Sequence, residues 1–199
     1  MATKITELVD RIDRLERELL EEIRRQEESF HYRIEGTRVR FESAVAQAHR
    51  ELRTALLPWL RSSQWRNALS APIIYAMIVP LALLDLTITV YQHLCFRLYR
   101  IPRVVRARYV VLDRHQLAYL NGIEKLNCVY CGYGNGVVAY AREIIARTEQ
   151  YWCPIKHARK VLGTHRRYAR FANYGDAERY HEQALKLRED LRDREDDRP

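Results

Sequence analysis

The sequence predicts an all-α protein: a long N-terminal coiled-coil-like helix, one membrane-inserted apolar helix or re-entrant hairpin, and a C-terminal helical hairpin module. Three observations predict it: apolar residues at heptad spacing, a nearly uncharged apolar stretch, and a glycine-rich break between two amphipathic segments. We divide the chain into a coiled-coil helix at 1–57, a membrane-inserted segment at 58–108, a Cys/His module at 109–174, and a charged helix and tail at 175–199.

The N-terminal segment has apolar residues three and four positions apart, which is the spacing of a coiled-coil seam. Its other positions carry charges of both signs, as in RLERELLEEIRRQEES. A solvated helix face is the alternative, but a lone helix with so narrow a seam needs a partner, which favours a homo-oligomer. The seam residues are Ile5, Leu8, Ile12, Leu15 and Leu19 and then, in a changed phase, Ile23, Phe30, Ile34, Phe41, Val45, Ala48 and Leu52.

The apolar stretch runs from Ala71 to Phe96 and contains one ionised side chain, Asp85. As a helix it would be roughly 39 Å long, more than the roughly 30 Å of a hydrocarbon core. Trp59 and Trp65 precede it, and such rings suit the headgroup level of a membrane. We therefore predict membrane insertion; the alternative is the buried core helix of a soluble protein.

The charges around this stretch predict its orientation. Five arginines follow it, which by the positive-inside rule predicts a cytoplasmic C-terminal half. A single crossing would then export the N-terminal helix, although residues 1–20 contain no secretory signal. A re-entrant hairpin bent near Pro80 to Asp85 would keep both halves inside, and we favour it. The arginines are Arg97, Arg100, Arg103, Arg106 and Arg108.

A polar stripe follows one face of the apolar stretch, at positions i, i+4, i+7 and i+8. It consists of Asp85, Thr89, Gln92 and His93. Polar groups within a membrane helix face another helix or a wet cavity, where their hydrogen bonds are satisfied. We favour a role in joining helices over an ion or cofactor site.

The sequence predicts two helices in the Cys/His module, separated by GYGNG, because three glycines in five residues of this kind interrupt a helix. The first helix would run from Asp113, as its cap, to Cys131, and the second over 137–152. Pro154 suits the first position of a further helix, which would leave Cys153 at its cap and His157 on the same face.

Three thiols and an imidazole in this module have the spacing of a structural zinc site, CxxC followed by CxxxH. The predicted ligands are Cys128, Cys131, Cys153 and His157. One metal ion could bind all four ligands only if the second helix is shorter than its pattern suggests, or if the linker doubles back along it. In a tight antiparallel hairpin, two half-sites could instead be completed by a second protomer. Core cysteines, a redox dithiol at Cys128 and Cys131, and an iron or iron–sulfur centre are the alternatives. Cys95 lies alone in the apolar stretch and reads as a small buried hydrophobe.

The net charge of +8 suggests a polyanionic partner. A basic segment with interspersed aromatic rings at 156–171 favours anionic lipid headgroups as that partner and disfavours nucleic acid, because no nucleic-acid-binding module is present. Beyond it, Asp176 would cap a charged helix that fades into a disordered tail. The segment's cations are Lys156, Arg159, Lys160, Arg166, Arg167 and Arg170, with Tyr168 and Phe171 between them.

The segment YLNGIEKLNCVYCGYGNGVVAYAREIIARTEQYWCPIKHARK, together with APIIYAMIVPLALLDLTITVYQ, resembles a group of bacterial membrane proteins of unassigned function. The resemblance covers most of the chain and implies a bacterial inner-membrane location. It implies nothing about chemistry.

These features predict a membrane-anchored, oligomeric protein whose zinc-binding module serves assembly. An iron-dependent enzyme or redox carrier, with Glu124, Glu143 or the polar stripe near the metal, is the second class. A coiled-coil scaffold without metal is the third. No phosphate-binding loop, nucleophile elbow or HExxH motif is present, so we lean away from an enzyme.

Overall fold

The computed structural model describes residues 4–29, 32–35, 38–41, 43–53, 55, 58–59, 61 and 64–193. The protein is mostly helical, as predicted. The described residues include six helices of nine or more residues: α1 (Lys4–Ser29), α2 (Ser43–Glu51), α3 (Trp65–Ala76), α4 (Ile78–Tyr91), α5 (Gly122–Trp152) and α6 (Ala177–Asp193).

The prediction of one continuous helix to about Leu57 is wrong. A hairpin of β1 (Tyr32–Glu35) and β2 (Arg38–Phe41) follows α1, and the strands pair antiparallel. Their sequences, YRIE and RVRF, alternate charged residues with aromatic or β-branched ones, which suits a strand.

The predicted seam is therefore divided. In α1 the apolar side chains Leu8, Ile12, Leu15 and Leu19 are each more than half exposed, so the single chain does not cover them. Phe41, Val45, Ala48 and Leu52 lie at or beyond the hairpin and do not continue the same helix. Phe30 and Leu57, and the side chains of Ile5, Ile23 and Ile34, lie outside the described residues. Coiled-coil assembly stays a prediction.

Among the described residues, one helix is long and apolar enough to cross a membrane, and it spans Trp65–Tyr99. It comprises α3, α4 and their continuation through Gln92–Phe96, a turn of π-helix, and Arg97–Tyr99. We call it the apolar helix. Its Ile78–Tyr91 part is continuous, so the bend predicted between Pro80 and Asp85 is wrong. The chain reverses at Arg100, whose φ of 56° lies in the left-handed region, and Ile101 N–H then bonds back to the Phe96 carbonyl at 2.8 Å.

The chain forms two compact units, Met1–Tyr75 with Leu112–Gly132, and Ala76–Val111 with Tyr133–Pro199. In the first unit, the His49 ring meets Phe41 and Tyr119 edge-on, at centroid distances of 5.0 and 5.3 Å. The Tyr130 hydroxyl donates to the Ile74 carbonyl at 2.7 Å. Helix α3 therefore packs against the start of α5.

In the second unit, the apolar helix and α5 run parallel. Contacts come in the same order along both helices: Leu81 with Gly134, Thr89 with Tyr140, and Tyr91 with Thr148. Residues 101–111, which we call the return segment, run back along the apolar helix and approach α5 at Gly136. The core of this unit consists of Phe96, Ile101, Val104, Tyr140, Ile144 and Leu191.

The helical hairpin predicted for the Cys/His module is also wrong, because α5 continues through GYGNG. At Gly136 a Cβ atom would lie 2.7 Å from the Tyr109 carbonyl oxygen and 2.8 Å from the Val110 Cα. The glycine is thus needed for the return segment to approach the helix, and it does not break the helix.

The predicted ends of the module's helices are wrong as well. Asp113 precedes only a short 3₁₀ turn, to which its side chain does not bond. Asn121 caps α5 instead, since its Oδ1 accepts the Ile123 and Glu124 N–H groups at 3.0 Å while Glu124 accepts the Asn121 N–H at 2.8 Å. No helix begins at Pro154, because Ile155 pairs with Ala172 in a short bridge.

The C-terminal helix agrees with the sequence. Helix α6 begins at Ala177, and Asp176 Oδ1 accepts the Arg179 N–H at 3.4 Å, so the predicted cap is confirmed. Leu187 and Leu191 of α6 are buried. The predicted disordered tail at 194–199 lies outside the described residues.

Candidate functional site: the two faces of the apolar helix

Asp85, the one acidic residue of the apolar stretch, is held by side chains of the return segment and of α5. Arg106 of the return segment binds both carboxylate oxygens, with Nε to Oδ1 at 2.9 Å and Nη2 to Oδ2 at 2.6 Å. The Tyr133 hydroxyl donates to Oδ2 at 3.0 Å. Burial, and then the hydrogen bond to Asp85, raise the pKa of Tyr133, so its phenol stays protonated. The carboxylate is thus neutralised within the fold.

Gln92 joins the apolar helix to the return segment. Its Oε1 accepts the Val104 N–H at 2.9 Å, and its Nε2 donates to the Val104 carbonyl at 3.3 Å and to the Tyr140 hydroxyl. Thr89 Oγ1 lies 3.4 Å from the same hydroxyl. Gln92 is 2% exposed, so these bonds satisfy an amide that would otherwise be buried without partners.

His93 differs from the other members of the polar stripe. Its ring is exposed, and its Nδ1 lies 2.8 Å from the Thr89 carbonyl of its own helix. Three of the four stripe residues therefore contact the return segment or α5, while the fourth points outward. These are the contacts expected of polar groups that join helices.

The opposite face of the apolar helix is exposed and apolar. At 3.6 residues per turn, Leu83, Val90 and Leu94 lie roughly 140–180° around the helix from Asp85. Each of them is about half exposed or more. We call this face the outer stripe; it consists of Val79, Leu83, Leu86, Val90, Leu94 and Leu98.

An aromatic cluster lies where the two parallel helices end. The Trp152 ring is 5.1 Å from Tyr99 and 5.3 Å from Tyr151, centroid to centroid. The Arg188 guanidinium lies 5.1 Å from the Tyr151 ring centroid, and its Nε donates to the Tyr151 carbonyl at 2.6 Å. Aromatic rings beside cations are typical of a lipid–water boundary.

The predicted zinc ligands do not converge within one chain. Helix α5 carries Cys128 and Cys131 near its start and ends at Trp152, next to Cys153. The helical rise places Cys131 and Cys153 roughly 33 Å apart along the axis, whereas two thiolates on one zinc ion lie within about 4 Å. No group of three or more metal-binding side chains occurs among the described residues. A site shared between protomers stays a prediction.

Cys153 and His157 also have different surroundings from those predicted. Cys153 follows the C-terminus of α5, where burial, and then the charge of Glu149, raise the pKa of its thiol. The predicted helix N-terminus would have favoured the thiolate instead. The His157 ring stacks on Tyr168 at 6.1 Å, and its backbone N–H donates to the Tyr168 hydroxyl at 2.6 Å. Cys95 is half-buried in the apolar helix.

The carboxylates proposed to accompany an iron centre have structural partners. Glu124 belongs to the cap of α5. Glu143 Oε1 accepts from Arg147 at 3.0 Å and from Arg167 Nη2 at 2.8 Å. Arg167 belongs to the predicted basic segment, so at least one of its cations faces the protein core.

The contacts that matter most to this arrangement come from residues that sequence reasoning missed: Arg106, Tyr133 and Tyr140. One signal was available, since a lone carboxylate in an apolar helix requires a cation. Five arginines follow the stretch, however, and only the reversal at Arg100 determines which of them reaches Asp85.

Comparison of the chain with protein-family models, with curated proteins and with solved structures found no match. The function is therefore argued from the geometry of the chain itself.

Proposed function

We propose that this protein is a membrane-associated, non-catalytic scaffold. The observation that supports it best is the apolar helix, whose most apolar 18-residue window is not buried by the rest of the chain. The core helix of a soluble protein would be covered. Six large apolar side chains on one stripe, exposed to water, are unfavourable unless lipid or protein covers them.

The N-terminal helix supports the second half of the proposal, assembly with another copy of the chain. Helix α1 is 26 residues long, and its four exposed seam residues follow heptad spacing. Its other side chains are largely charged, so two such helices would bury the seam and keep their charges in water. Membrane association through one helix and self-association through the other together describe a scaffold.

Membrane fractionation of the full-length protein tests the first half. We expect the protein to sediment with membranes and to remain there after an alkaline wash, which removes proteins held by charge alone. The variant Leu86→Gln/Val90→Gln should shift to the soluble fraction. The matched control Leu162→Gln/Leu185→Gln, which removes exposed leucines outside the apolar helix, should not. A wild-type protein found wholly in the soluble fraction would end the proposal.

Cross-linking tests the second half. Leu15→Glu/Leu19→Glu should abolish the oligomer in detergent, because it places carboxylates in the seam. Glu18→Gln, an exposed change outside the seam, is the control. A wild-type protein that is monomeric at all concentrations would leave a membrane protein without a scaffold function.

A further inference from the structure

The return segment bears on how the apolar helix meets a membrane. It lies beside the helix over Asp85–Phe96, since Arg106 binds Asp85, Val104 binds Gln92, and Ile101 binds Phe96. Wherever this half of the helix goes, the return segment goes with it. If Gln92 entered a bilayer, Val104 and its neighbours would enter it to the same depth.

The composition of the return segment conflicts with a position inside hydrocarbon. It is extended or irregular apart from the turn Arg106–Arg108, and irregular backbone facing lipid does not occur at membrane depth. Its Arg103 and Arg106 are exposed, and charged side chains are among the costliest groups to insert. The second unit therefore has one face that cannot enter lipid.

The other face is suited to lipid. The outer stripe lies on the side of the helix opposite Asp85 and Gln92, the residues that hold the return segment. The exposed positions of the helix from Val79 to Leu98 include no acidic residue, while Arg97 lies beside the stripe and Arg100 follows it. This surface is apolar, has arginines along its border and carries no exposed carboxylate. Such a surface complements an anionic lipid surface.

We propose that the apolar helix from Val79 to Leu98 lies in the plane of an anionic membrane surface, with its outer stripe in lipid and the return segment in water. This half of the helix does not cross the bilayer. The inference rests on the proposed membrane association and adds the mode of binding and the lipid class. The apolar face of a helix that lies in this position is buried about 5–10 Å into the boundary between headgroups and acyl chains.

The first test is sidedness, measured on the unmodified full-length protein. The protein is added to preformed, sealed vesicles of phosphatidylglycerol and phosphatidylcholine, and trypsin is then added outside. We expect cleavage both in α1, for example at Arg14, and in α6, for example at Lys186, without detergent. Protection of one of these sites until detergent is added would overturn the in-plane mode and leave the membrane association intact. A failure to bind any vesicle would overturn the proposed function, and the inference with it.

The second test is lipid preference. We expect binding to fall about tenfold or more when phosphatidylglycerol is omitted. Arg97→Gln/Arg100→Gln should remove most of that difference, because it neutralises the cations beside the outer stripe. Arg103→Gln removes a charge from the opposite face and should have a smaller effect per charge. Equal effects per charge from the two variants, or equal binding to both vesicles, would overturn the assignment of this face to anionic lipid.

Discussion

Gln92 binds both backbone groups of Val104, accepting from its N–H at 2.9 Å and donating to its carbonyl at 3.3 Å. The side-chain amide of Gln92 thus makes the two hydrogen bonds that a neighbouring β-strand would otherwise make to Val104. The pairing holds an extended segment against a helix, an arrangement that backbone hydrogen bonds alone would not provide.

The Gln92→Leu variant should destabilise the protein strongly. It leaves the N–H and carbonyl of Val104 buried without these partners, which costs about 2–4 kcal/mol and lowers Tm by roughly 5–15 °C in a chain of this size. Thermal unfolding in a fixed detergent measures it. The neighbouring His93→Leu, at an exposed position, serves as the control and should change Tm little. Similar Tm values for both variants would contradict the pairing.

Glycine positions in α5 should differ sharply in their tolerance of alanine. Gly136→Ala forces a methyl group against the backbone of Tyr109 and Val110, which we expect to cost about 2–3 kcal/mol of unfolding free energy. Gly134→Ala meets only the Leu81 side chain, at 3.2 Å, and should cost less. Gly122→Ala meets nothing within 4 Å and should be neutral or stabilising. A different order of the three unfolding free energies would count against this packing.

Asp85 and Arg106 should behave as a coupled pair. Arg106→Leu removes the bidentate partner of a carboxylate that is 14% exposed, and we expect a loss of about 1–3 kcal/mol. Adding Asp85→Asn should recover part of that loss, since the amide carries no charge that needs compensation. The measurement is a double-mutant cycle on unfolding free energies. Strictly additive effects would show that the pair does not form.

Cys153 should react slowly with thiol reagents at neutral pH. Because its pKa is raised, the thiolate fraction at pH 7–8 is below that of an ordinary cysteine, and alkylation should accelerate only at higher pH. Glu149→Gln removes one of the two causes and should shift the pH–rate profile of Cys153 to lower pH. The rate at Cys131, followed by mass spectrometry in the same sample, is the internal control. An unchanged Cys153 profile in Glu149→Gln would refute the electrostatic part of the explanation.

Zinc, if bound at all, should not be held by the four predicted ligands of a single chain. We therefore expect a monomeric fraction to contain no stoichiometric zinc and Cys153→Ser to change its Tm little. Elemental analysis per chain measures the first. One tightly bound zinc per monomer, lost together with stability in Cys153→Ser, would show that the chain adopts a different arrangement of α5.

The sequence predicted correctly those elements that are determined by a local pattern of residues. The apolar helix follows from composition alone, and the cap at Asp176 from the residue type before a helical segment. The predictions were wrong for elements whose conformation depends on contacts with distant parts of the chain. The glycine at position 136 reads locally as a helix break, but it serves an approach by Tyr109, 27 positions away.

The expectation that the four zinc ligands meet within one chain has the same origin. Spacing along the sequence places Cys131 and Cys153 near each other only if the chain reverses between them, and that reversal depended on GYGNG. The hairpin after α1 was missed for a related reason: heptad counting continued across YRIE and RVRF, although their alternation is also that of a strand.

The parallel arrangement of the apolar helix and α5 imposes an order on biosynthesis. Gln92 cannot meet Tyr140 until 48 further residues have been translated, which takes about 2–10 s at 5–20 residues per second. Throughout that interval the nascent helix presents Asp85 and Gln92 before Tyr133 and Tyr140 exist. Until then the exposed apolar helix of the nascent chain is prone to aggregate unless lipid or another protein covers it.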